Sequence, residues 1–324
     1  MRALRLEALG GPGELRLVED AVVPVPGGGE VLVKVAAAGV NFADVMQTRG
    51  TYYGGPEAPY LAGFEAAGEV VAVGADVTEI AVGARVIGTG YGAFAEYMVM
   101  AADGLAPVPD GWKDEQALGL VLNWATALAA LKPLGQLEAG QTVLVHAAAG
   151  AVGQAAVRMA KHYGATVIAT ASASKHEVVR RLGADHVIDY RTADLVTEVR
   201  RLSGGKGVDV VLESVGGETF AKSIEVAKRV TGKVVVYGVA GGEASVSNWD
   251  LNFKHQVHVI GLHIGVLGQQ APEMFAGLMA ELARLISIGV YPPGAPTVYD
   301  LADGPKVLAE LEARATVGKI ALKP

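Results

Sequence analysis

Short apolar runs, several of them alternating with polar residues, fill the first third of the chain. Residues 2–9, 14–22 and 30–40 carry the clearest of them. Gly10-Gly11-Pro12-Gly13 and Pro24-Val25-Pro26-Gly27 separate the runs. Apolar side chains at every second position belong on one face of a strand, and glycine and proline clusters between such runs are turn chemistry. Residues 67–73, 84–88 and 94–100 extend the series. Many short strands joined by glycine-rich turns predict a barrel-like β domain.

The rhythm changes near Trp112. Residues 113–131 have helical character. Their apolar stretch, 117–131, holds Asn123 and Thr126 and stops at Lys132-Pro133. It is short for a membrane span and reads as a buried helix. From Gln141 onward, short continuous apolar runs at 142–146, 166–170, 186–190, 208–214 and 233–238 alternate with helical patterns at 152–163, 175–182, 194–202 and 219–230. Apolar strands joined by helices predict a parallel, doubly wound sheet covered on both faces. Residues 257–263 are a candidate sixth strand. Helices at 271–288 and 307–314 and a strand at 319–322 complete the chain. The simplest assembly is an α/β protein whose residues 1–122 and 265–324 form one domain, with residues 123–264 inserted as the other.

Composition changes the picture in three ways. Half of the chain (51%) is hydrophobic, enough for two buried cores, and this excludes a disordered chain. The net charge of −7 repels a phosphate backbone and argues against nucleic acid as a partner. Cysteine is absent, which removes disulfides, thiolate metal ligands and a cysteine nucleophile together. The charged N-terminal stretch, with Arg2, Arg5 and Glu7, has no continuous apolar segment behind it, so a secretory leader and a membrane partner are not expected and a cytoplasmic location is.

One segment carries clear binding chemistry. His146-Ala147-Ala148-Ala149-Gly150-Ala151-Val152-Gly153 lies where a predicted strand becomes a predicted helix. Small residues there let the backbone approach a pyrophosphate, and the helix N-terminus presents N–H groups and a positive dipole end. This is the position of the dinucleotide motif in a Rossmann-type sheet. The second strand ends in Thr170-Ala171-Ser172-Ala173-Ser174-Lys175, without the acidic residue that binds the ribose of NAD. Ser172 can donate a hydrogen bond to a 2′-phosphate and Lys175 can supply charge, so NADPH is expected over NADH. The plainer reading is that Ser172 and Ser174 cap the next helix.

These residues also carry a family likeness. The chain resembles the quinone oxidoreductase (zeta-crystallin-like) branch of the medium-chain dehydrogenase/reductase superfamily over essentially its whole length. The likeness rests on Asn41-Phe42-Ala43-Asp44 with Gly50-Thr51-Tyr52, Gly63-Phe64-Glu65-Ala66-Ala67-Gly68, residues 141–153, Leu182-Gly183-Ala184-Asp185, Ile188-Asp189-Tyr190-Arg191, Ser214-Val215-Gly216-Gly217, and Arg314-Ala315-Thr316 followed by Gly318. Ala151 stands where many members have glycine, and Arg158 where glutamine is more usual. The resemblance implies a Rossmann-type sheet inserted into a GroES-like, partly open β-barrel domain. It further implies that Asn41 and Tyr52 line the substrate cleft beside the nicotinamide and that Thr126 contacts the nicotinamide end. Ala149, Gly150, Val152 and Gly153 would approach the pyrophosphate. Lys175, Tyr190 and Arg314, with Ser172, would surround the 2′-phosphate. Ser214, Val215 and Gly238 would touch the riboses.

Zinc dehydrogenases of the same superfamily use cysteine and histidine ligands. Here Asn41 and Phe64 stand at those places, and the seven histidines show no ligand spacing. His255 and His258 sit in or before a strand candidate, where odd spacing points side chains to opposite faces. A zinc-free reductase is therefore expected, with no residue that must serve as proton donor. A quinone is the first candidate acceptor. An enone or enoyl double bond is the second. A weakly catalytic, NADPH-binding structural or RNA-binding protein is the third. The apolar strand at 257–262, if it ends the sheet, would pair across a two-fold axis in a homodimer.

Overall fold

Residues 30–40 explain the first sheet. Val31, Val33 and Val35 are buried while Lys34 is exposed, as a strand with one wet face requires. The computed structural model describes residues 1–324. From the N-terminus it runs through β1 (Ala3–Leu6), β2 (Leu15–Val18), β3 (Glu30–Val40), α1 (Phe42–Arg49), β4 (Tyr60–Leu61), β5 (Glu65–Val73), β6 (Arg85–Thr89), β7 (Tyr97–Ala101), β8 (Ala106–Pro107) and α2 (Asp114–Ala117). Next come α3 (Ala125–Ala129), β9 (Thr142–Val145), α4 (Ala151–His162), β10 (Thr166–Thr170), α5 (His176–Arg181), β11 (His186–Ile188), α6 (Leu195–Leu202), β12 (Val210–Glu213) and α7 (Gly217–Val226). Then follow β13 (Lys233–Val236), β14 (His258–Gly261), α8 (Ile264–Gln270), α9 (Pro272–Ser287), β15 (Thr297–Asp300), α10 (Gly304–Glu312) and β16 (Ile320–Lys323).

The chain divides into a first unit, residues 1–122 and 293–324, and a second unit, residues 123–292. In the first unit a seven-stranded sheet runs β15-β16-β3-β5-β6-β8, with β7 also on β3, beside a three-stranded sheet β2-β1-β4. One half of β3 pairs with β7 and the other with β16, both antiparallel, so the last strand of the chain closes a partly open barrel. Leu4, Leu6, Val33, Phe94, Met98, Leu308 and Leu322 fill its core.

The second unit holds six parallel strands in the order β11-β10-β9-β12-β13-β14. This is the Rossmann order, and the strand order reverses between β9 and β12, where such sheets place their ligands. Val143, Leu144, Val145, Val211 and Leu212 are completely buried because helices cover both faces of a parallel sheet. One helical run, Asp114–Leu134, is long and apolar enough to cross a membrane by length and composition, but 72% of its apolar window is buried inside the protein.

Two features depart from the sequence pattern. The return to the first unit comes at Pro293, not at residue 265. Helices α8 and α9 pack against α3 and bury Leu278, Leu282 and Leu285, spaced to share one helix face. They therefore belong to the second unit, a fact set by what that face covers and not by the break at Gly265. Residues 41–50, for which the sequence pattern predicts no element, open at Asn41 into α1, a helix that ends at Gly50 in the left-handed region. The Asp44 carboxylate accepts the Asn41 backbone N–H at 2.7 Å, satisfying one of the amides that a helix start leaves open.

Candidate active site

The second unit gathers most of the expected cofactor residues at the carboxyl ends of β9, β10 and β12. After β9 the chain turns through Ala147, which has a left-handed backbone (φ 47°), and enters α4 with Gly150 as its first flanking residue. No side chain caps this helix, so its N-terminal amides face the loop of Ala149, Gly150 and Val152. Glycine is required at 153, where a Cβ would lie 2.4 Å from the Ala147 carbonyl oxygen. The methyl of Ala151 sits at the helix start, half-buried.

At the end of β10, Ser172 is buried and flanks a short helical turn without capping it through its side chain. Its hydroxyl is thus not engaged in the plainer capping role. Lys175 follows, its ammonium pushed below the usual range mainly by burial; Tyr190 opposes this effect and Arg191 adds to it. The Arg191 guanidinium lies 6.0 Å from the Tyr190 ring centre. Lys175, Tyr190 and Arg191 therefore share one corner, rich in positive charge and free of carboxylate competition from β10. Arg191 is an addition to the expected set, since the sequence showed it only as part of a motif. Replacing Lys175 with glutamate should raise the KM for NADPH at least tenfold, about 1.4 kcal/mol. An unchanged KM would remove Lys175 from the phosphate corner.

After β12 the backbone of Ser214 comes so close to Gly238 that a Cβ there would lie 2.7 Å from the Ser214 oxygen. The Val215 and Gly216 amides both donate to one oxygen of Glu213, at 2.6 and 2.9 Å. Glu213 belongs to a buried chain of hydrogen bonds. Ser223 donates to its other oxygen, His146 Nε2 lies 2.9 Å from Ser223 Oγ, and His146 Nδ1 lies 3.1 Å from Thr170 Oγ1. Burial pushes the His146 pKa down. A neutral ring with its hydrogen on Nε2 satisfies every group in turn. The chain links the ends of β10, β9 and β12. Sequence reasoning missed it, because His146 and Glu213 read as a motif histidine and a strand-end residue. Thr126 lies on α3, buried.

Asn41, Tyr52 and Arg314 belong to the first unit. Arg314 follows α10 with a left-handed backbone (φ 58°). Asn41 is the centre of a buried polar cluster. Its amide donates to Gly39 O at 3.1 Å and to Glu65 Oε2 at 3.0 Å, and its Oδ1 accepts from Lys319 Nζ at 2.7 Å. Lys319 also meets Glu65 at 2.5 Å, and the other Glu65 oxygen accepts the Gly119 amide. Glu65 is completely buried. Both amide hydrogens of Asn41 are thus engaged within the protein. Tyr52, half-buried, is pushed above the usual phenol range by burial first, with smaller contributions from Tyr91 and Asp44. It lines a cavity of about 430 Å³ with Gln47, Gly55 and Glu57.

Residues 27–110 match the family described as alcohol dehydrogenase GroES-like domain, and residues 151–284 match that described as zinc-binding dehydrogenase. The Escherichia coli quinone oxidoreductase, solved in complex with NADPH, is 33% identical over the whole of both chains, with a TM-score of 0.93. The chain belongs to the quinone oxidoreductase branch of the medium-chain dehydrogenase/reductase superfamily. Within that superfamily it is also similar to the CurK enoyl reductase, 30% identical over 99% of this chain and 98% of the other, with a TM-score of 0.89. The human synaptic vesicle membrane protein VAT-1 homolog is 34% identical over all of this chain and 86% of its own length.

The second family description names zinc, and the residues of this oxidoreductase do not fit it. At the corner in question stand the Asn41 amide, the Phe64 ring and a Glu65 carboxylate already held by Lys319. Zinc takes a tetrahedral set of nitrogen and sulfur ligands. No cluster of three or more histidine, aspartate or glutamate side chains exists that could hold a metal. A nicotinamide dinucleotide phosphate does fit the second unit: the glycine-lined start of α4, the carboxylate-free end of β10 and its cationic corner supply the needed contacts.

Proposed function

We propose that the protein is an NADPH-dependent reductase that transfers hydride to a quinone, without a metal. One observation carries this reading most: the cationic corner of Ser172, Lys175, Tyr190 and Arg191 beside β10, a strand that ends without a carboxylate, which suits a 2′-phosphate. Bound NADPH supplies the hydride. The loops after β9, β10 and β12 orient the dinucleotide, which converts a bimolecular encounter into a positioned transfer. Ala149, Gly150, Val152 and Gly153 serve the pyrophosphate, Ser214, Val215 and Gly238 the riboses, Thr126 the nicotinamide end, and Arg314 adds charge for the phosphate.

The acceptor class follows from the chemistry of the Asn41 corner. A simple carbonyl needs a strong electrophile to stabilise the alkoxide it becomes. The Asn41 side-chain amide donates to Gly39 and Glu65, and an amide is a weak electrophile. A quinone spreads the incoming charge over a conjugated ring and needs far less help. Tyr52 is the hydrogen-bond donor we assign to that anion, while Asn41 holds the geometry of the surrounding loop. The likeness to the CurK enoyl reductase favours a second acceptor class, enones and enoyl double bonds, for the same chemical reason.

Oxidation of NADPH and NADH, followed in parallel against quinones and enones, tests both parts. Rapid NADPH oxidation with quinones and little with NADH is the expected result. Turnover with enones alone replaces the acceptor class. Silence with every acceptor, with NADPH still bound tightly, overturns the reductase reading.

The same reading includes a homodimer. The second unit's sheet ends on β14, which is bonded on one side only, to β13, and leaves Val259 partly exposed. Such an edge invites pairing with a second copy. Sedimentation as a monomer at micromolar concentration would remove the dimer.

A further inference from the structure

Three buried polar atoms in the first unit have no hydrogen-bond partner: Asp44 Oδ1, Gln47 Nε2 and the Tyr60 hydroxyl. Buried polar groups are almost always satisfied, so three together mark a place where something polar binds. Asp44 and Gln47 are three residues apart on α1 and so share a face. Both are almost wholly buried. The Asp44 charge acts on the Tyr52 and Tyr60 hydroxyls. Gln47 and Tyr52 line the same cavity. A polar, roomy pocket of this kind holds water.

We propose that Asp44 is the proton store of this site, passing its proton through water held by Gln47 and Tyr60 to Tyr52 and so to the reduced acceptor. The assignment rests on the reductase reading above. With an enone, hydride adds to one carbon of the double bond, leaving NADP⁺ and an enolate. The proton from the Asp44 carboxyl adds at the neighbouring carbon, and the Asp44 carboxylate is reprotonated from solvent. The structure keeps this proton available. Asp44 Oδ2 is fixed by the Asn41 backbone amide, which leaves Oδ1 as the oxygen without a partner.

The surrounding groups agree. Burial raises the Asp44 carboxyl to about 7, the Asn41 amide and Lys319 oppose that rise, and Glu65 reinforces it. Tyr52 and Glu57 are the titratable side chains lining the cavity, and Tyr91 acts on both Tyr52 and Tyr60. Raised pKa values of this size are what general acids near neutral pH require.

Asp44→Asn keeps the shape of the side chain and an oxygen for the Asn41 amide while removing the proton. With an enone and saturating NADPH, the wild-type kcat should fall as pH rises through about 7, as a required acid ionises. The variant should lose kcat by roughly a hundredfold, lose that pH limb, and keep its KM for NADPH. Quinone reduction, whose oxygen anion takes its proton readily from water, should suffer much less. Carbon-13 NMR of aspartate-labelled protein supplies a readout independent of turnover: one carboxyl titrating near 7, absent in Asp44→Asn. A wild-type enzyme that turns over with a flat pH profile, or spectra without that carboxyl, overturns the assignment of Asp44 alone. A protein with the carboxyl present but silent towards every acceptor overturns the reductase reading, and the proton store with it.

Discussion

Lys319→Met is expected to cost about 3–5 kcal/mol of stability, because it leaves a buried carboxylate without its counter-charge. Glu65 is completely buried and Lys319 nearly so. The ammonium also holds the Asn41 side-chain oxygen, so its loss loosens β3, β5 and β16 where they meet. An exposed pair would be worth about 1 kcal/mol or less, and burial is what separates the two magnitudes. The chain has two units, so a single unfolding curve is a poor ruler. Hydrogen exchange resolves the effect: amides of residues 30–40 and 65–73 should lose protection, while those of 142–145 and 210–213 keep it. Lys319→Met combined with Glu65→Gln should recover much of the loss. A single variant that costs less than about 1 kcal/mol would show that water, not Lys319, satisfies Glu65.

The second unit was legible because its signal is redundant. Each strand from 142 to 213 is short, apolar and followed by a helix, and the parallel order then leaves few alternatives. The sixth strand, β14, was also visible as residues 257–263, with its ends two residues too long or one too early. The first unit was harder. Strands appeared where side chains alternate, as in residues 30–40, but β15 is largely exposed and carries no alternation to read. Helix α1 was hidden because its apolar residues are few and its start depends on a carboxylate reaching back to a backbone amide. The boundary at Pro293 could not be read either, since it depends on which neighbour α8 and α9 cover.

The site divided along the same line. Local motifs marked the loop of residues 146–153, the end of β10 and Ser214-Val215, because the contacts proposed for the cofactor come from consecutive residues. What the sequence hid are partnerships over distance. Lys319 lies 278 residues from Asn41 in the chain, and Ser223 lies 77 from His146. The resemblance puts Asn41 in the substrate cleft, and nothing local says that Glu65 and Gly39 take both of its amide hydrogens.

Glu213→Ala should be the most damaging change in the second unit. It strips the partner from the Val215 and Gly216 amides, each about 1–3 kcal/mol when left unsatisfied, while Ser223 keeps the Thr219 carbonyl as acceptor. Water reaching the cavity recovers part of this, so a net loss of about 3–5 kcal/mol is expected. Affinity for NADPH should fall with it, because those two amides belong to the loop proposed to meet the riboses. His146 adds a pH signature. Its folded pKa is lowered from 6.5 by burial, so the unfolded chain binds a proton that the folded one refuses. Stability is then fully present above about 6.5 and is lost as pH falls below it. His146→Gln should flatten that part of the profile, while Asp44, raised from 3.8 to about 7, acts in the opposite sense over its own window. Thermal unfolding between pH 5 and 8, read by exchange in residues 142–145 and 210–213, separates the two. If His146→Gln leaves the acid side unchanged, the buried chain from Thr170 to Glu213 is not what couples the ends of β10 and β12.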